Sequence, residues 1–277
     1  MKNKNLQISL MFKKKIFDRD LLVVLGPTAT GKTRLAVQLS HKLHGEIISA
    51  DSRQVYRGMD IGTGKDLNEF KVKGVSIPYH LIDIVSPIEE YNVTQFQRDF
   101  QRVYSDIKER RKLPIICGGT GFYIKAVLMD FQIPKTEPDK QLRQKLEHWV
   151  LEDLINELEM ISPGASANTP VDTKRRVIRA IEVANSKDHG KVGQNKNTVQ
   201  RNANNFNLKN TTVIGIEYPR EVIRERITKR LHSRLNNGMI EEVEDLLIGG
   251  VTHNHLDILG LEYRYISLYL QEKISKE

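Results

Sequence analysis

The sequence predicts an α/β fold, a parallel sheet flanked by helices and carrying a small helical insert, and three observations predict it. Short, fully apolar, β-rich runs alternate with segments whose apolar residues recur at helical spacing. The first such run ends in a glycine-rich loop that opens a helix. Past Pro134 the strand signals stop, helical and basic segments take over, and one strand signal returns near Thr212.

The elements follow in order. Leu21 to Leu25 (LLVVL) reads as a buried parallel strand, because only a strand covered on both faces is apolar throughout. Leu35, Ala36, Leu39 and Leu43 then recur on one face of a helix from Lys32 to Leu43. Glu46 to Ala50 and Tyr79 to Val85 are the next expected strands. A helix from Val93 to Arg110 follows, with Phe96, Phe100, Val103 and Ile107 aligned. Leu113 to Cys117 is a further strand, ending at Gly118-Gly119-Thr120-Gly121, and Phe122 to Met129 continues as helix. Pro138 to Ile161 reads as helical up to the Ser162-Pro163-Gly164 break, and Val171 to Asn185 as a basic helix. Thr212 to Ile216 returns to the sheet, and Arg220 to Leu247 is one long helical region. The expected domains are a core of residues 21–137 with 211–277, a helical insert of 138–185, and an Asn- and Lys-rich flexible linker of 186–210. Residues 1–20 read as a basic, poorly ordered lead-in; they lack the apolar stretch of a secretory signal.

Composition narrows the classes. Hydrophobic residues are 39% and charged residues 28% of the 277 positions, an ordinary globular balance. No apolar run approaches the roughly 20 residues that cross a bilayer, so no membrane span is expected. The single cysteine, Cys117, excludes an intramolecular disulfide and a cysteine metal cluster, and fits a reducing, cytoplasmic setting. No histidine spacing suggests a metal site. Trp149 and Cys117 read as packing residues, and a monomer is the default. The net charge of +8 is concentrated: residues 171–234 hold 15 Lys/Arg against 6 Asp/Glu. Composition alone admits two readings, a polyanionic partner or a solvated basic face.

Gly26-Pro27-Thr28-Ala29-Thr30-Gly31-Lys32-Thr33 satisfies the P-loop pattern G-x-x-x-x-G-K-[ST], with a strand before it and an amphipathic helix after. Main-chain N–H groups and the helix start cradle phosphate oxygens, Lys32 neutralises them, and the Thr33 hydroxyl can ligate Mg²⁺. The expected core is therefore P-loop NTPase-like, and the loop binds the phosphates of a nucleotide or a diphosphate. Asp51, at the end of the second strand, could hold Mg²⁺ through water, accept a proton, or cap the next segment.

The run from Asp51 to Thr63 (DSRQVYRGMDIGT) closely resembles the signature of the tRNA dimethylallyltransferase (isopentenyltransferase) family. So does GPTATGKT, where the family usually has Ser in place of Thr30. Pro78 to Ile84, Gly118 to Tyr123, Arg175 to Val183, Arg226 to Arg230 and Gly260 to Arg264 match in the same order. The resemblance spans about residues 20 to 270.

The resemblance implies transfer of a dimethylallyl group from dimethylallyl diphosphate to the exocyclic amine of the adenosine 3′ to the anticodon of tRNA. Diphosphate is the leaving group, so the P-loop would stabilise departing charge. Asp51 would take the proton from the amine, and Arg230 would lie against the diphosphate with Lys32 and Mg²⁺. Contacts to tRNA carry over to Asp51, Ser52, Arg53, Gln54 and Thr120, and to Arg143, Arg175, Arg176 and Arg179 on the insert, with the target base flipped out of its stack. Two departures stand out. Gly62-Thr63-Gly64-Lys65-Asp66 replaces the family's usual Gly-Thr-Ala-Lys-Pro, and its Arg/Lys-rich tail helix is not among these residues. Alternatives are an adenylate isopentenyltransferase acting on free AMP, ADP or ATP, a P-loop small-molecule kinase, and an inactive RNA-binding relative.

Overall fold

The computed structural model describes residues 19–129, 134, 136–186 and 210–275. The expected lead-in and linker fall almost wholly outside the described residues. The chain divides into two compact units, residues 1–129 with 203–277, and residues 130–202.

The first unit is built on β1 (Leu21–Leu25), α1 (Lys32–Leu43) and β2 (Gly45–Ser49). After a short 3₁₀ turn at Leu67–Phe70 come β3 (Lys71–Val72), β4 (Val75–Ser76), β5 (Tyr79–His80), α2 (Val93–Glu109), β6 (Leu113–Gly118) and α3 (Gly121–Leu128). Among the described residues the main sheet has the order β5-β2-β6-β1-β7, where β7 is Thr211–Gly215, and every pairing in it is parallel. β3 and β4 form a separate two-stranded antiparallel ribbon that the sequence reading did not anticipate.

Strand alternation divides the core. Leu22, Val24, Ile47 and Ile115 pack against Ala36, Leu39 and Leu43 of α1 on one face. Leu21, Val23, Ile48 and Ile116 point the other way, onto Phe96, Phe100 and Ile107 of α2 and Ile124 of α3. Because both faces are covered, β1 is apolar along its length, as a central parallel strand must be. An Asn92–Gln95 capping box starts α2. Gly118 is required by close approach: a Cβ there would lie 2.2 Å from the Ala50 carbonyl oxygen.

Two expected elements differ. The strand read over Tyr79 to Val85 ends after His80, because Leu81 and Asp83 adopt φ of 62° and 56°. The chain folds back there: Asp83 Oδ1 accepts from Lys65 Nζ at 2.5 Å, and the N–H groups of Ile84 and Val85 both go to Val55 O. The helix read over Arg220 to Leu247 is two, α7 (Arg220–Leu235) and α8 (Met239–Ile248). Asn236-Asn237-Gly238 separates them, with Gly238 at φ 94°. Beyond lie α9 (His253–Leu259) and α10 (Leu261–Leu270). Met239, Val243 and Leu246 of α8, with Tyr263 and Ile266 of α10, bury Val55, Tyr56 and Met59 and so pin the segment after Asp51.

The second unit contains α4 (Lys140–Leu146), α5 (Leu151–Ile161) and α6 (Lys174–Asn185), numbered in chain order before β7. The helical stretch read from Pro138 is interrupted at residues 147–150, and Asp139 caps α4 by accepting from Leu142 N. Leu146, Leu154, Leu158, Val177 and Ile181 form its core, with Trp149 packed against it.

Candidate active site

β1 ends where the main chain turns into the phosphate loop, and α1 begins at Lys32 directly behind it. The Thr30 hydroxyl and Lys32 Nζ both donate to Pro27 O, at 2.8 and 2.6 Å, fixing the curvature of the cradle. The loop lines a cavity of about 1080 Å³ with Thr28 to Thr33 on its wall. Asp51 and Gln54, from the end of β2, line the same cavity, and so do Arg226, Arg230 and Arg234. The sheet order explains the convergence: β2, β6 and β1 are parallel, so the loops after them emerge at one edge.

Asp51 is held by its own turn. Oδ1 accepts from Arg53 N at 2.9 Å and from Gln54 N at 3.4 Å, and among the described residues Oδ2 receives no protein hydrogen bond. The capping role and a proton-accepting role are therefore compatible, because they use different oxygens. Ser52 N donates to the Thr120 hydroxyl at 2.9 Å, and Thr120 N to Ala50 O at 3.1 Å, tying the turn to the glycine loop after β6. Ser52, Arg53 and Thr120 thus sit beside Asp51 and support its turn.

The three arginines are spaced by four along α7, which places them on one face over roughly 12 Å of helix axis. Arg226 Nη1 lies 3.4 Å from Ala29 O, with its guanidinium 4.3 Å over the Tyr218 ring. Arg230 Nη2 donates to the Thr28 hydroxyl at 2.5 Å. Arg234 is buried, and its Nη1 donates to Gly62 O at 2.9 Å. Burial pushes the Lys32 ammonium below its ordinary value, and Arg230 adds to this while Asp51 opposes it. Burial likewise lowers Arg230, against the pull of Glu262, Asp51 and Glu69. Cations that lose hydration in this way gain from a bound anion. The sequence reading missed Arg234 and Tyr218; the four-residue spacing from Arg226 and Arg230 was the available signal for Arg234.

Hard oxygen donors for Mg²⁺ are present, since Thr33, Ser49 and Asp51 all line the cavity. Among the described residues no three acidic, His or Cys side chains cluster for a metal. Thr33 is the residue that could hold a magnesium ion, which commonly keeps few protein ligands. Cys117 also lines the cavity; burial pushes its thiol up to about 12.

The insert arginines lie on the second unit and are unequal. Arg143 and Arg179 both donate to the buried Glu182 carboxylate, at 2.6 Å and 2.9 Å. Arg179 also donates to Thr136 O, and Arg176 pairs with Asp172 at 2.6 Å. Arg175 is exposed and, among the described residues, forms no ion pair.

A phosphate cradle, a carboxylate and a row of arginines around one cavity define a site of the P-loop class, with residues that can hold a phosphate-bearing ligand. The family described as IPP transferase matches residues 54–277, and the chain belongs to that family. Among its relatives, the tRNA dimethylallyltransferase 1 of Parabacteroides distasonis is 46% identical over 259 residues, 93% of this chain and 81% of the relative. The tRNA dimethylallyltransferase 2 of Porphyromonas gingivalis is 45% identical, over 90% and 80% of the two chains. The crystal structure of the full-length tRNA isopentenylpyrophosphate transferase of Bacillus halodurans superposes with a TM-score of 0.63 at 33% identity, covering 92% of this chain and 78% of that one. A eukaryotic dimethylallyltransferase acting on tRNA shares the fold, with a TM-score of 0.65 at 22% identity over 91% and 68%.

Proposed function

We propose that this protein transfers a dimethylallyl group from dimethylallyl diphosphate to the exocyclic amine of the adenosine 3′-adjacent to the anticodon of tRNA. The observation that carries the reading is the shared cavity of Asp51, Lys32 and Arg230, in a chain of the IPP transferase family.

The new C–N bond forms between the adenine amine and C1 of the prenyl group, while the C1–O bond to diphosphate breaks. The displaced amine proton goes to the Asp51 carboxylate, and the electron pair of the broken bond leaves on diphosphate. Lys32, Arg230 and the loop N–H groups from Thr28 to Thr33 meet that charge as it develops, where donors already in place stabilise most. Held at Thr33, Mg²⁺ would supply further charge neutralisation on the leaving group. Thr120 and the Asp51–Gln54 turn orient the acceptor base, and Arg143, Arg175, Arg176 and Arg179 of the insert meet RNA phosphates. The buried single cysteine fits work in a reducing cytoplasm.

The test is a transfer assay with radiolabelled dimethylallyl diphosphate and Mg²⁺, offering unmodified tRNA and AMP in parallel. Label in tRNA alone is expected. Label in AMP alone would move the protein to free adenylate, and ATP-dependent phosphoryl transfer without prenyl transfer would make it a kinase. Tight stem-loop binding with no turnover would leave an RNA-binding protein.

A further inference from the structure

Glu242 of α8 accepts four hydrogen bonds. Three come from successive main-chain N–H groups, those of Asp60 (2.8 Å), Ile61 (2.6 Å) and Gly62 (3.0 Å), and the fourth from the Tyr263 hydroxyl (2.7 Å). Consecutive N–H groups turned onto one carboxylate form an anion nest, here filled from inside the protein. The residues that donate belong to the irregular stretch that closes the Asp51–Thr63 run, and Asp60, Ile61, Thr63 and Gly64 there line the cavity. Glu242 does not line it.

The same stretch is gripped on its carbonyl side. Arg234 Nη1 donates to Gly62 O, and the guanidinium lies so close over Gly64 that a Cβ there would be 1.9 Å from Nη2. Gly64 is at φ +66°, and the arginine takes up the space a methyl group there would need. Lys65 is buried and ties the far end to Tyr56 O at 2.8 Å and to Asp60 and Asp83. From Gly64 O the stretch reaches Gln54 Nε2 at 3.5 Å, and the Gln54 N–H is one of those on Asp51 Oδ1.

We propose that Glu242 is a positioning residue for the reaction: with Tyr263, it fixes the Asp60–Gly64 stretch as the acceptor-side wall of the cavity. The inference rests on the prenyl-transfer reading above. A wall without secondary structure has many conformations of its own, and a substrate held a fraction of an ångström out of place loses much of the rate. Glu242 satisfies the stretch's N–H groups from behind, which leaves its side chains to the cavity. The phosphate loop is built separately, from β1 and α1, and the proposal assigns the clamped stretch to the acceptor rather than to the prenyl donor.

Glu242→Gln separates these roles, since the amide keeps the shape but places a donor against N–H groups that donate. The expected result is a fall in kcat/KM for tRNA of about tenfold or more, with KM for dimethylallyl diphosphate unchanged within about twofold. Tyr263→Phe removes one bond of four, and the same split is expected at smaller size. Thermal midpoints of both variants, measured alongside, give the folded fraction at the assay temperature. Wild-type kinetics in Glu242→Gln would overturn the proposal. So would a loss that tracks the folded fraction, or an equal rise in KM for both substrates. Failure of the wild-type protein to transfer a prenyl group to tRNA would instead overturn the functional reading on which the proposal rests.

Discussion

Arg230 and Thr28 are 202 positions apart, yet the Arg230 guanidinium donates to the Thr28 hydroxyl at 2.5 Å. The contact joins the start of the phosphate cradle to α7, near the end of the chain. Arg226 makes a second, longer reach from the same helix face to Ala29 O. The cradle is thus closed by side chains that the P-loop motif does not contain. A generic phosphate loop here acquires an added pair of guanidinium groups, suited to a leaving group that carries several negative charges.

Removing Arg230 should cost transition-state stabilisation more than fold stability, since it is half-buried at the cavity and its partner Thr28 is exposed. Arg230→Ala is expected to lower kcat/KM for dimethylallyl diphosphate by about 10²- to 10³-fold, the usual effect of losing one donor to developing charge. Arg230→Lys should recover part of it, because the charge returns without the planar fork. Steady-state kinetics on the three proteins, with melting curves alongside, check this.

Glu182 should control the stability of the insert in a pH-dependent way. Burial alone would raise its carboxyl pKa, but hydrogen bonds from Arg143 and Arg179 outweigh burial and hold it below the ordinary value. A carboxylate whose pKa is lower in the folded state adds stability above its unfolded pKa of about 4.3, and that stability is lost as pH falls through the folded value. Glu182→Gln is expected to cost about 1–3 kcal/mol at pH 7, because it weakens two charge-assisted bonds at a buried group. The gap between the two melting temperatures should narrow below about pH 4. A gap that widens in acid would contradict the assignment.

Arg175 differs from its neighbours in being exposed and, among the described residues, outside any ion pair. Arg175→Ala should weaken tRNA binding and reduce the slope of log K against log salt by about one, leaving the melting temperature in place. Arg179→Ala should weaken binding too, but with a lower melting temperature, since it also frees part of Glu182. Filter binding across a salt series and thermal melts distinguish the two.

Much of this was legible in the sequence because periodicity and motif carried it. LLVVL before GPTATGKT placed β1 and the cradle, and the bounds of α1 were read as the structure has them. The strand over Tyr79 to Val85 was misread because its apolar pattern is genuine while the backbone is not extended. Asp83 is drawn to Lys65, a contact between distant segments that no local window contains. The long helix after Arg220 was misread for a more local reason: Asn-Asn-Gly is a helix terminator, here marked by Gly238 at φ 94°. At the site, motif and resemblance singled out Asp51, Lys32 and Arg230, which line one cavity. Glu242 escaped notice because three of its four partners are main-chain N–H groups about 180 residues away, and main-chain partners leave no mark on residue type.

The most direct test of Asp51 as proton acceptor is mass analysis of the anticodon-loop nucleosides after incubating tRNA with dimethylallyl diphosphate and either wild-type protein or Asp51→Ala. The expected result is prenylated adenosine 3′ to the anticodon with the wild type and none with the variant, while the variant still binds diphosphate with near wild-type affinity. Full prenylation by Asp51→Ala would contradict the account.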